Sequence, residues 1–295
     1  MHGYGLCLGR LRRDDEGIKM SLKTLKDTPP WDWPNGTGKM LLDILRDDRS
    51  SASDLLLATE LAGDFTVIND ELVDALLSIL RSGDKSEKVR GRAAISLGPV
   101  LEHSDTEGFE AADDPPIAER TFHRIQEALR RLYLDAHVPK DVRRRILEAS
   151  VRAPQDWHQD AVRAAYASDD EVWRLTAVFC MRFVRGFDAQ ILAALDSKDP
   201  DIHCEAVLAA GTWEVDAAWP HVAALIASGE TDKPLLLAAI DAVASIRPHE
   251  AARLLDDLTD SDDEDIVAAV HEAMAMADLP RGEDDESDDD DDSLP

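Results

Sequence analysis

The chain has 295 residues, of which 44% are hydrophobic and only 5% aromatic, and it carries 61 acids against 32 bases for a formal net charge of −29. The apolar content suffices for one elongated array or two domains, while the charge would repel a phosphate backbone over most of the surface, so nucleic acid is not an expected partner. No apolar run reaches the roughly 18 residues of a membrane span, and the unpatterned Cys7, Cys180 and Cys204 read as those of a reduced, cytoplasmic protein.

In chain order, residues 1–19 show no helical or strand period and precede a second Met at position 20, so they read either as a flexible leader outside the fold or as residues ahead of a true start at Met20. Pro29-Pro30-Trp31-Asp32-Trp33-Pro34 adjoins the first helix and reads as a cap over the apolar end of an array, with a partner-binding segment as the alternative, completing a leader-and-cap segment over 1–36. Asn35-Gly36-Thr37-Gly38-Lys39 carries the Gly-Lys of a phosphate loop, yet Trp33 stands where the first Gly belongs and Met40 where Ser or Thr belongs. It is a turn into the first helix.

From 37 to 279 the chain repeats itself. Segments beginning at Leu55, Val89, Val142, Val172, Ile202, Leu235 and Ile266 share an acidic or polar start, an apolar residue, and small or apolar residues four and eight positions later. The spacings are 34, 53, 30, 30, 33 and 31 residues. Offsets of four and eight put Thr59, Ala93, Ile146, Thr176, Ala206, Ala239 and Val270 on one helix face. Asp170, Asp199 and Asp263 precede such segments as N-caps would. Second apolar-periodic stretches follow at 70–81, 117–134, 189–195, 221–227 and 250–258, with Pro, Gly and Asp at the joins. The longest spacing contains an acidic stretch at 102–116, with Gly108 and Phe109 at its centre, which reads as a loop, either disordered or a binding loop. Paired helices at a period near 30 predict an all-α fold, an α-α superhelix of about seven helix pairs in which each pair buries its apolar face against its neighbours. Residues 280–295, in which 282–295 are almost wholly Asp, Glu and Ser, read as a disordered acidic tail.

Asp141-Val142-Arg143, Glu171-Val172-Trp173-Arg174, Asp199-Pro200-Asp201-Ile202, Asp265-Ile266, and Val89-Arg90 with Ala93, Ala94, Leu97 and Gly98 resemble the acid–aliphatic–Arg pattern of HEAT repeats over roughly 40–279. The whole chain also resembles bacterial HEAT-repeat proteins of unassigned function. His203 and Val267 replace the Arg in later repeats. The resemblance implies a HEAT/armadillo-like solenoid and no particular activity.

Candidate chemistry is thin. His249-Glu250 and His271-Glu272 lack the second His of a zinc helix, because Arg253 and Ala275 stand there. Deoxyhypusine hydroxylases, HEAT proteins that hold iron with His-Glu pairs early in the repeat helix, imply such pairs at Gly91-Arg92, Arg144-Arg145, Arg174-Leu175 and Cys204-Glu205, and none supplies one. Asp156, His158 and Asp160 diverge at offsets of two and read as a helix start, as does the acidic run 260–265, which lacks the Gly and Glu of a calcium loop. No metal and no cofactor is expected. HEAT-like DNA glycosylases need a basic groove over many repeats, which the acidic C-terminal part opposes.

Charge distribution points to interaction. Residues 1–115 carry 14 bases and 22 acids, 116–185 carry 13 and 10, and 186–295 carry 5 and 29. The middle segment holds Arg144, Arg145 and Arg174 among its arginines, with Trp157 and Trp173, and Arg and Trp are the residue types that anchor interfaces. The same arginines can instead pair with acids of adjacent repeats. The expectation is a non-catalytic scaffold that binds a protein or peptide partner, an acidic segment or the chain's own tail, through these five residues. The alternative is an enzyme or enzyme subunit with its site assembled between repeats, as in HEAT-type lyases.

Overall fold

The computed structural model describes residues 21–109 and 115–277. The expected leader at 1–19, the loop acids Glu110, Asp113 and Asp114, and the acidic tail lie outside them. The described residues form helices and no strands: α1 (Leu22–Lys26), α2 (Thr37–Arg46), α3 (Ala52–Leu61), α4 (Asp70–Arg81), α5 (Glu87–Ser96), α6 (Gly98–Glu107), α7 (Glu119–Leu134), α8 (Lys140–Ser150), α9 (Asp156–Tyr166), α10 (Glu171–Cys180), α11 (Asp188–Ala194), α12 (Pro200–Thr212), α13 (Trp219–Ala227), α14 (Lys233–Ile246), α15 (Pro248–Leu255) and α16 (Glu264–Ala277). They fall into two compact units divided between Ala153 and Pro154.

In the first unit α3, α5 and α8 pack in succession as one layer, and α2, α4 and α7 as the other. In the second, α10, α12, α14 and α16 pack in succession, each against the helix before it, α9, α11, α13 or α15. The pairs α2–α3, α4–α5, α7–α8, α9–α10, α11–α12, α13–α14 and α15–α16 are the expected all-α, HEAT/armadillo-like helix-pair architecture. The seven repeated segments are the second helices of these pairs. Thr59, Ala93, Ile146, Thr176, Ala206, Ala239 and Val270, the residues four positions in, are all buried. A strict helical period explains this, because the position four residues on lies one turn further along the same face.

Local chemistry starts the helices where the sequence says. Ser51, Ser86, Asp170, Asp199 and Asp232 accept hydrogen bonds from backbone N–H groups of the first turns of α3, α5, α10, α12 and α14, satisfying donors that have no partner within the helix. Asp263 accepts from the N–H of Asp265 at 3.0 Å at the start of α16.

Three details differ from the sequence reading. The stretch expected as a loop from 102 is helical to Glu107, because α6 continues from α5 after Leu97 with Pro99 in its first turn, where a missing N–H costs nothing. This extra helix accounts for the spacing of 53. Phe109 then packs on Phe122 of α7 with ring centroids 5.6 Å apart. In α10, Val172 is 48% exposed and the neighbouring Trp173 only 8%, so the larger apolar surface takes the buried place. In the Trp/Pro segment, Trp33 donates through Nε1 to the carbonyls of Leu25 and Thr28, both at 3.0 Å, tying the segment to the end of α1, whereas Trp31 is 79% exposed.

Candidate binding groove

The successive helices α3, α5 and α8 line a groove of about 480 Å³ in the first unit, formed by Leu56, Glu87, Lys88, Gly91, Arg92, Ile95, Asp141, Arg144, Arg145 and Glu148. The repeat period builds it. Lys88, Gly91, Arg92 and Ile95 recur at helical spacing along α5, and Asp141, Arg144, Arg145 and Glu148 do so along α8. Their buried faces, Val89 with Ala93 and Val142 with Ile146, fix the two helices side by side. Gly91 permits the close approach: a Cβ there would stand 3.2 Å from Cγ of Arg145, so the absent side chain leaves room for the arginine stem over α5.

Four cations and three carboxylates line the groove. In a chain of net charge −29, that is a locally positive place. Glu148 serves two guanidinium groups. It accepts from Nη1 of Arg145 at 2.6 Å and lies 3.6 Å from Nη1 of Arg144. The Arg144 side chain is largely covered, whereas that of Arg145 is 41% exposed. The half-buried Leu56 and Ile95 add apolar wall.

Of the five residues singled out from sequence, Arg144 and Arg145 are together in this groove, while Trp157, Trp173 and Arg174 belong to the second unit. Trp157 stacks on His158 with centroids 3.8 Å apart and donates to Oε1 of Gln155 at 2.8 Å, at the start of α9. Trp173 is buried in the packing of α10, so it offers no open aromatic anchor. Arg174 donates to the carbonyl of Ser168 at 3.3 Å. Buried Arg90 makes the equivalent bond in the first unit, donating through Nε to the carbonyl of Leu80 at 3.0 Å. Both arginines thus reach back to a carbonyl at or just after the end of the preceding helix, a structural role.

Other arginines of the basic segment do pair across repeats. Arg152 bonds Glu102, and Arg182 lies 3.6 Å from Glu205. Sequence reasoning missed Lys88, Arg92, Leu56 and Ile95, which lie outside the basic segment and reach the site only through the stacking of α3, α5 and α8.

No family model matches this chain. No curated protein matches it either. Among solved structures, human deoxyhypusine hydroxylase in complex with glycerol is similar, at 17% sequence identity over 87% of this chain and 88% of that one, with a TM-score of 0.37. That likeness assigns no role to any residue here. Among the described residues, no group of three or more His, Cys, Asp or Glu is placed to hold a metal ion, and no helix is long and apolar enough to cross a membrane.

Proposed function

We propose that this protein is a non-catalytic HEAT-type adaptor that binds an acidic protein or peptide segment in the groove across α3, α5 and α8. The observation that carries the reading is the convergence of Lys88, Arg92, Arg144 and Arg145 on one groove of a strongly acidic chain. An incoming carboxylate competes with Glu148 for the exposed side of Arg145, and a guanidinium can hold it with two parallel N–H donors. Leu56 and Ile95 give an apolar residue of the same segment a place to rest. Each exposed contact contributes only about 0–1 kcal/mol, so affinity comes from several contacts made together. Three cysteines without a pairing pattern fit a reducing, cytoplasmic setting.

The test is fluorescence anisotropy with a labelled peptide that alternates Glu with single Leu residues, titrated with the full chain and with the Arg144→Ser/Arg145→Ser double variant. The double substitution should weaken binding about tenfold, corresponding to about 1.4 kcal/mol. Raising salt from about 0.1 M to 1 M, which shortens the screening length from about 10 Å to about 3 Å, should weaken the wild type more than the variant. Equal affinity and equal salt dependence in the two proteins would sink the reading and leave these arginines as internal partners of Glu148.

A further inference from the structure

His203 lies in the first turn of α12 and His221 in the first turn of α13, and the fold brings their Nε2 atoms within 2.8 Å of each other. The rings meet nearly edge to face, with centroids 5.0 Å apart and planes at 76°. Both residues are half-buried, so solvent and ions reach them while the helices restrict their rotation. Two imidazole nitrogens facing each other can share one proton as a hydrogen bond, or both can turn their lone pairs to one electrophile. Asp196, after α11, and Asp232, the N-cap of α14, both place negative charge near His203. Burial and the neighbouring His221 nonetheless hold the His203 imidazole below its ordinary pKa, so at neutral pH it is an uncharged ligand.

We propose that His203 and His221 form a two-imidazole site for a divalent transition metal of the zinc class, with water completing the coordination. Imidazole nitrogen suits such ions, whereas magnesium and calcium require oxygen ligands. With bonds of about 2.0–2.1 Å, two nitrogens on a tetrahedral ion stand about 3.3 Å apart. Opening the pair by about half an ångström is within reach of side-chain rotation alone. The nearby carboxylates then favour the ion electrostatically without entering its first coordination sphere. Two protein ligands make a site that exchanges its metal readily, unlike the four-ligand structural sites that hold a fold together.

The experiment is isothermal titration of the full chain with Zn²⁺ in the presence of excess Mg²⁺, which occupies the acidic surface. One equivalent of Zn²⁺ should bind. His203→Gln and His221→Gln should each weaken that binding at least tenfold, while His249→Gln should leave it unchanged. On the wild-type chain, Zn²⁺ should shift the ring carbon and proton resonances of two histidines together, and these resonances should be the ones absent from the His203→Gln and His221→Gln spectra. Absence of binding, equal binding by the His203 and His221 variants, or Zn²⁺-dependent shifts confined to other histidines would each overturn the proposal. The resonance measurement on the native chain keeps the test decisive should a variant fail to fold.

Discussion

The two units stack their helices by the same rule and spend their charged residues differently. In the first, α4, α6 and α7 bury large side chains, with Leu72, Leu76, Leu101, Ile125 and Leu129 fully enclosed, while the layer α3–α5–α8 turns Lys88, Arg92, Arg144 and Arg145 toward a groove. In the second, the layer α10–α12–α14–α16 packs chiefly through small residues, among them Ala206, Ala209, Ala210, Ala238, Ala239 and Ala242. Its few cations are drawn into local ties: Lys233 bonds Asp263 and Asp265, and Arg247 bonds Asp216 through two nitrogens. The buried base differs too, being the always-charged Arg90 in the first unit and the imidazole of His158 in the second. Packing is thus decided on the inward faces. The outward faces vary at little cost to the fold, so helix pairs packed by one rule can present unlike surfaces.

The largest expected effect tests whether core volume distinguishes the units. Ile146→Ala should destabilise the protein by about 2–5 kcal/mol, the usual cost of emptying a large buried aliphatic site. Amide exchange in α5 and α8 should accelerate with it. The corresponding Ala206 and Ala239 have no such volume to lose, so a cost near zero for Ile146→Ala would erase the contrast.

The buried bases give the next effect. Burial lowers the pKa of His158 to about 4, outweighing the opposing influence of the Gln155 backbone hydrogen bond. The unfolded chain therefore binds a proton near pH 6.5 that the folded chain refuses until about pH 4. The stability linked to this group is present above pH 6.5 and lost as pH falls toward 4, by about 3 kcal/mol in all. His158 accepts the Gln155 N–H through Nδ1 at 2.8 Å, so His158→Asn, which keeps an acceptor there, should flatten the stability curve over this window. Denaturant midpoints for the two proteins that change in parallel from pH 7 to 4.5 would break the comparison.

Close approach is a smaller contrast. A Cβ on Gly211 would meet Cα of Ala242 at 2.8 Å, whereas one on Gly98 would meet the flexible Cδ of Arg152 at 2.9 Å. Gly211→Ala should cost about 1–3 kcal/mol by overpacking two backbones, and Gly98→Ala distinctly less, because a side chain can swing aside. Thermal melts showing equal shifts would remove the idea that the second stack depends on close helix contact. The smallest effect belongs to the exposed ties: Lys233→Ser should lower the melting temperature only slightly, and 1 M salt should abolish the difference.

The sequence alone determined the helix-pair architecture, because burial at fixed helical offsets leaves a periodic record. Thr59, Ala93, Ile146, Thr176, Ala206, Ala239 and Val270 could be placed inward without coordinates, and Asp170, Asp199 and Asp263 announced helix starts through short-range side-chain chemistry. Where two readings competed locally, the sequence did not decide: the stretch from 102 read as a loop yet is helical to Glu107, and Val172 yielded its inward place to Trp173. The candidate groove was half legible, with Arg144 and Arg145 apparent from charge density but Leu56, Lys88 and Arg92 brought to them only by the lateral packing of α3, α5 and α8. The His203–His221 pair was not legible at all, since 18 residues separate two unremarkable histidines. Periodicity records which face of a helix is buried, whereas the neighbour that each outward side chain meets is set by the distance and angle between helices, which only the packed structure fixes.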